Sequence, residues 1–199
     1  SNEHSYGWTL RYGSDNGTLN FNIGGGGGIS WIDCRAEGVL TLNTWQHVAG
    51  TYDGSNIKLY VNGAEVATTP FAGSISNSSR ELCIGTILNS DDPRYMTGQV
   101  DEVRIWNVTR SAEEILANMK QNVSNTKLVA YYKMREGSGS TLTDSSNHGH
   151  SGTLVGNPQW RSNTIDIYES PLVSSIAVSS ITHNSATANG DIGNSDGAY

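Results

Sequence analysis

The dipeptide Asn62-Gly63 sits between two short runs of alternating polarity, and this arrangement constrains the fold more than any other feature of the chain. Both residues tolerate the positive φ angles of a two-residue hairpin, whose twist matches that of the strands it joins. Before it, Ile57, Leu59 and Val61 alternate with Lys58 and Tyr60, the period of a strand buried on one face. After it, residues 64–69 return until Pro70 stops them. Upstream, residues 45–52 read as a further strand, and Asp53-Gly54 turns the chain. The three segments predict an antiparallel meander with one apolar face. Such a face needs a second layer to cover it, so the expected class is all-β.

The rest of the chain fits that class. Residues 18–23 alternate and run into the block Gly24 to Gly28, which reads as a hairpin loop because glycine weakens a strand interior. Residues 29–34 read as a strand, so the glycines do not form a phosphate loop feeding a helix. Residues 81–84 and 99–106 read as paired strands around an acidic loop that contains Asn89, Asp91 and Asp92 and closes at Pro93. One helix is expected: Ser111-Ala-Glu-Glu114 is a capping box, and Ala112, Ile115, Leu116 and Met119 form its apolar stripe. Residues 128–134 read as a strand, 141–150 as turns, and 152–160 as a final short strand with an aromatic plug. Beyond Tyr168 Ser, Thr and Asn dominate, and Ile176, Val178, Ile181, Ala186 and Ala188 mark two short strands. So short a piece cannot bury a core of its own. Residues 1–168 are therefore read as one sandwich module, and 169–199 as a linker with the truncated start of a second β-domain.

A formal net charge of −7 with no Lys/Arg cluster argues against nucleic-acid binding, which needs a basic stripe to neutralise phosphates. An acidic, loop-rich surface suits divalent cations or neutral ligands such as glycans. No apolar run approaches membrane-spanning length, and no signal peptide is visible at Ser1. Cys34 and Cys83 fall in two separate predicted strands, either as a disulfide across the sandwich or as two buried thiols. The aromatics Tyr6, Trp8, Trp31, Tyr52, Tyr60 and Tyr95 divide between core and a sugar-stacking platform, with Tyr52, Tyr60 and Tyr95 the candidate ligand contacts. Strand parity turns Asp101 inward with Val103 and Ile105, as a buried carboxylate satisfied by backbone amides or by His47. His148 and His150 alone do not specify a zinc site, and Asp144 with Asn147 reads as turn chemistry. No Gly-x-Ser-x-Gly elbow or metalloprotease helix motif occurs, so no catalytic residue is nominated.

Several ordered blocks carry a family resemblance. They are Trp45-Gln-His-Val-Ala-Gly-Thr-Tyr-Asp-Gly54, Leu59-Tyr-Val-Asn-Gly63, Gly98-Gln-Val-Asp-Glu-Val-Arg-Ile-Trp-Asn107 and Arg110-Ser-Ala-Glu-Glu-Ile115. With residues 128–152 they cover most of 6–160 and resemble laminin G-like/pentraxin-like modules, especially those of surface proteins of Bacteroidota. The resemblance implies a concanavalin A-like jelly roll of two antiparallel sheets, on a secreted or cell-surface protein. It implies a non-catalytic module that binds an extracellular glycan or protein, or serves in adhesion. It also implies calcium, held in this sequence by Asn89, Asp91 and Asp92 with Asp53 from a separate turn. Glucanases of this fold carry a Glu-x-Asp-x-x-Glu strand, which is absent here. The family's first strands, expected before Tyr6, are also absent, which admits assembly with other copies of the chain by strand exchange. Residues 175–198 more weakly resemble the opening of a fibronectin type III-like repeat.

Overall fold

A computed structural model describes residues 6–13, 17–26, 29–78, 80–87, 94–161, 179–182 and 185–187. Strands β1 (Tyr6–Tyr12), β2 (Leu19–Gly26) and β3 (Ile29–Ala36) form one antiparallel sheet in that order. Strands β4 (Val48–Tyr52), β5 (Asn56–Val61) and β6 (Ala64–Pro70) form a second, which is the expected meander. Asn62 and Gly63 take φ of 51° and 81°, as the two-residue turn requires. Asn62 also ties the hairpin back to the start of β4, its Oδ1 accepting from the His47 amide at 3.0 Å.

The two sheets face each other across the core. Register places Leu10, Phe21 and Cys34 on one face of the first sheet, with Trp8, Ile23 and Ile32 in the next row. Leu19, Phe21, Ile23, Cys34 and Ala36 pack against Ile57, Leu59 and Val61 of the second sheet. Ile23, Ile57 and Leu59 are fully buried, each contributing on the order of 2 kcal/mol. Gly50 of β4 meets the Phe21 ring so closely that a Cβ would lie 2.5 Å from Cγ. The sheets also join at one side, where Thr69 Oγ1 donates to the Asp33 carbonyl at 3.2 Å.

The remaining elements attach around this sandwich. Strand β7 (Thr86–Ile87) pairs with β8 (Arg94–Tyr95) at the base of the acidic loop. Strand β9 (Val103–Trp106) pairs with β10 (Leu128–Tyr132), and helix α1 (Ala112–Asn118) lies between them in sequence. The capping box forms as expected: Glu114 N donates to Ser111 Oγ at 3.2 Å and Ser111 N to Glu114 Oε2 at 2.9 Å. Ile115 is buried, whereas Leu116 of the expected stripe is half exposed and covers Gly63 instead. Strand β11 (Thr141–Leu142) pairs with β12 (Gly152–Thr153), and Trp160 Nε1 donates to the Gly139 carbonyl at 2.8 Å. Strand β13 (Ser179–Thr182) pairs with β14 (Ser185–Thr187). The expected boundary at residue 168 falls outside the described residues.

Three local expectations are corrected. Gly24 to Gly26 continue β2 rather than leaving it, opposite Trp31 and Ile29 on one side and Tyr6 and Gly7 on the other. A central strand with both ladders made tolerates glycine there, because pairing on both sides compensates for the missing side chain. Residues 81–84 form no strand, and β9 pairs with β10 instead. Lastly, β9 begins only at Val103, because Glu102 takes a φ of 56° and breaks the assumed alternation.

Candidate functional site

The residues nominated from sequence separate into distinct roles. Tyr52 is a strut: its ring stacks on Phe71 at 5.5 Å, and its hydroxyl donates to the Gly73 carbonyl at 2.7 Å and accepts from Gly73 N at 3.1 Å. Tyr60 is 3% exposed, on the face of β5 away from Leu59, and offers no surface to a ligand. Of the three nominated tyrosines, Tyr95, 73% exposed on β8, is the one open for stacking. Asp53 is exposed, and its Oδ1 accepts from the amides of Asn56 at 2.6 Å and Ser55 at 2.8 Å. Those amides hold its carboxyl below the usual carboxylate range. Asn89, Asp91 and Asp92 lie outside the described residues. Among the described residues no three His, Cys, Asp or Glu side chains gather as a metal site.

The cysteines form no disulfide. Cys34 is fully buried in the sandwich core, where burial pushes its thiol pKa up, and Cys83 is a half-buried free thiol contacting the Glu81 carbonyl. The cross-sandwich bond required residues 81–84 to be a strand facing Cys34, and they are not.

The surface that register assembles is the face of β1, β2 and β3 turned away from the core. Three rows cross it: Gly7, Gly24 and Trp31; Thr9, Asn22 and Asp33; Arg11, Asn20 and Arg35. Trp31 is 36% exposed, and its two neighbours across the sheet carry no side chain. The segment at Ser76 bonds both glycines, with Gly7 N donating to its carbonyl at 2.7 Å and its own amide donating to the Gly24 carbonyl at 2.9 Å. Ser78 packs on Gly7, where a Cβ would come within 3.3 Å of Ser78 Cβ. In the next row Asn22 is buried, its Nδ2 donating to Asp33 Oδ1 while its Oδ1 has no partner among the described residues. Asn20 is also buried, between the two arginine positions. Asn20 and Asn22, like Tyr60, offer almost no surface to a ligand, and Asn22 serves instead to position the Asp33 carboxylate. The exposed part of the face thus combines an aromatic plate, a carboxylate and guanidinium groups.

The fold and this face come from the segment that a family model recognises. Residues 1–116 match the model described as the Concanavalin A-like lectin/glucanases superfamily. The chain belongs to that superfamily. Within it, the chain is 30% identical over 138 residues to human pappalysin-1, an alignment covering 58% of this chain and 8% of the relative. Mouse pappalysin-1 is 32% identical over 104 residues, covering 47% and 6%. The chain therefore spans under a tenth of the length of these relatives. Among solved structures it resembles a "putative carbohydrate binding protein" from Bacteroides ovatus ATCC 8483, at 25% identity and a TM-score of 0.52, over 76% of this chain and 50% of that one.

Because this superfamily spans lectins and glucanases, the placement of the carboxylates decides what chemistry is available. The parity argument selected Asp101, but the buried carboxylate is Glu102, whose side chain is 6% exposed. Arg104 donates to its Oε2 at 2.8 Å, Arg135 to its Oε1 at 3.2 Å, and the Tyr131 hydroxyl also donates to Oε2. Arg104 further binds the carbonyls of Asn118 and Gln121, both at 2.7 Å, and so fastens the end of α1 to β9. Burial and the Glu102 hydrogen bond push the Tyr131 phenol up to about 12. Asp101 accepts from the Glu102 amide at 2.9 Å, and burial beside the Glu102 charge raises its carboxyl. His47 does not serve Asp101. Burial, then the Arg104 charge, lower its pKa to about 4, and its Nδ1 is buried without a partner among the described residues. Asp144 is the turn residue expected: burial works against its charge, but the amides of Tyr131, Ser146 and His150 hold it well below the usual carboxylate range.

Proposed function

We propose that this chain is a non-catalytic glycan-binding module of a secreted or cell-surface multidomain protein, and that it binds through the outer face of β1, β2 and β3. The observation that carries the reading is the exposed Trp31 indole on that face, with the exposed side chains of Asp33, Arg11 and Arg35 in the adjoining rows. An indole plate stacks on the apolar face of a pyranose ring, and exposed charged groups bind its hydroxyls. The resemblance to the Bacteroides ovatus protein supports a carbohydrate ligand. The state of Glu102 argues against catalysis: a carboxylate neutralised by two arginines and a phenol is not free to act as acid or nucleophile. Calcium bound by Asn89, Asp91 and Asp92, with the remaining oxygen of Asp53, is an accessory proposal.

A glycan array followed by calorimetry on the full chain tests both parts. The expected result is saturable binding that Trp31→Ala weakens about tenfold or more, some 1.4 kcal/mol. Repeating the titration with EDTA separates out calcium, and unchanged affinity would remove the metal from the account. Binding unaffected by Trp31→Ala would remove the face.

A further inference from the structure

Beside helix α1 the chain forms a polar cleft of about 180 Å³, lined by Trp106, Arg110, Asn118, Asn122, Ser124 and Asn125. We propose that this cleft is a second carbohydrate site, which holds one neutral pyranose ring. It extends the glycan-binding reading but depends on none of the residues of the β1–β3 face.

Size comes first. Pockets that enclose drug-sized ligands begin near ~300 Å³, so this cleft takes a single ring and not an oligosaccharide. Its polarity follows from the hydrogen bonds already made around it. Asn118 Nδ2 donates to the Glu114 carbonyl at 2.7 Å, which leaves its Oδ1 as an acceptor. Asn122 turns one end of its amide to the Tyr131 hydroxyl at 3.3 Å, which leaves the other end for the cleft. Asn125 Oδ1 accepts from the Lys127 amide at 2.8 Å, leaving Nδ2 as a donor. Ser124 adds a hydroxyl that both donates and accepts. An acceptor from Asn118, a donor from Asn125, one end of the Asn122 amide and the Ser124 hydroxyl around a single cleft complement the vicinal hydroxyls of a sugar.

Charge decides for a neutral ring. Arg110 lies over the Trp106 ring, 4.4 Å from its centroid, and pairs with Glu114 at 3.1 Å. Its guanidinium is thus matched by a carboxylate one helical turn away and is not left to recognise an anion. The walls are also held firmly, since Arg104 fastens the Asn118 and Gln121 carbonyls and the Asn107 amide donates to the Lys127 carbonyl at 3.0 Å. A pre-formed polar wall loses little entropy on binding.

The test is an NMR titration of the ¹⁵N-labelled full chain with the methyl glycosides of glucose, galactose, mannose and N-acetylglucosamine, and with methyl glucuronide as the anionic control. At least one neutral glycoside should give saturable shifts at the side-chain amides of Asn118, Asn122 and Asn125. Ser124→Phe fills the cleft from an exposed position and should weaken that response at least about tenfold. Trp31→Ala should leave it intact, so a failure of the β1–β3 face and a failure of the cleft are told apart. No saturable shift at these amides, a response unchanged by Ser124→Phe or abolished by Trp31→Ala, or a response to the glucuronide alone would each overturn the proposal.

Discussion

Glu102 concentrates more of the structure's physics than any other single residue. It takes a left-handed φ that costs a non-glycine residue about 1–3 kcal/mol, and it holds its carboxylate between Arg104 and Arg135 at 6% exposure. The ion cluster keeps that backbone in place, and the backbone in turn lets β9 start with Val103. Glu102→Ala would leave the buried Arg104 charge without its carboxylate, and should destabilise the chain by about 3–5 kcal/mol in urea unfolding. His47 makes a second prediction. Its folded pKa of about 4 lies below the ordinary 6.5, so between these values the unfolded chain takes up a proton that the folded chain refuses. Its contribution is intact above pH 6.5 and is lost as pH falls toward 4, by up to about 3 kcal/mol. Unfolding measured across that window should show the loss, and His47→Gln should flatten it.

At the scale of elements, the contact between β4 and β2 sets how closely the two sheets approach. Gly50 faces the Phe21 ring, so Gly50→Ala forces the sheets apart and should cost about 1–3 kcal/mol, read as a lower Tm with the fold retained. The meander around Gly50 was legible in the sequence because its signals are local: Asn62-Gly63 fixes the turn, and the alternation of Ile57, Leu59 and Val61 fixes the face. The cap of α1 was legible for the same reason. What failed depended on distant partners. Gly24 to Gly26 are strand because β1 and β3 flank them, and no local propensity reports that. Asp101 was selected over Glu102 because parity assumes an unbroken strand. Of the candidate site, Trp31 was one of six aromatics left divided between core and platform and was not a nominated contact, and Asp33, Arg11 and Arg35 join it only through register, which a single sequence leaves open.

The molecule as a whole is a two-layer sandwich whose interior is committed to packing and whose outer β1–β3 face is polar. A net charge of −7 makes the arginines of that face a local exception on an acidic surface. Among the described residues no helix is long and apolar enough to cross a membrane. A role in assembly by strand addition would engage the edge of β1, whereas glycan recognition engages the outer face; the two draw on different groups. They are separated most directly by a ¹⁵N titration of the full chain with the oligosaccharide that binds best on the array. The account predicts perturbations centred on the Trp31 indole N–H and the backbone amides of Asp33 and Arg35, with the β1 edge amides unchanged. Perturbations confined to the β1 edge or to Tyr95, or none at saturating ligand, would contradict it.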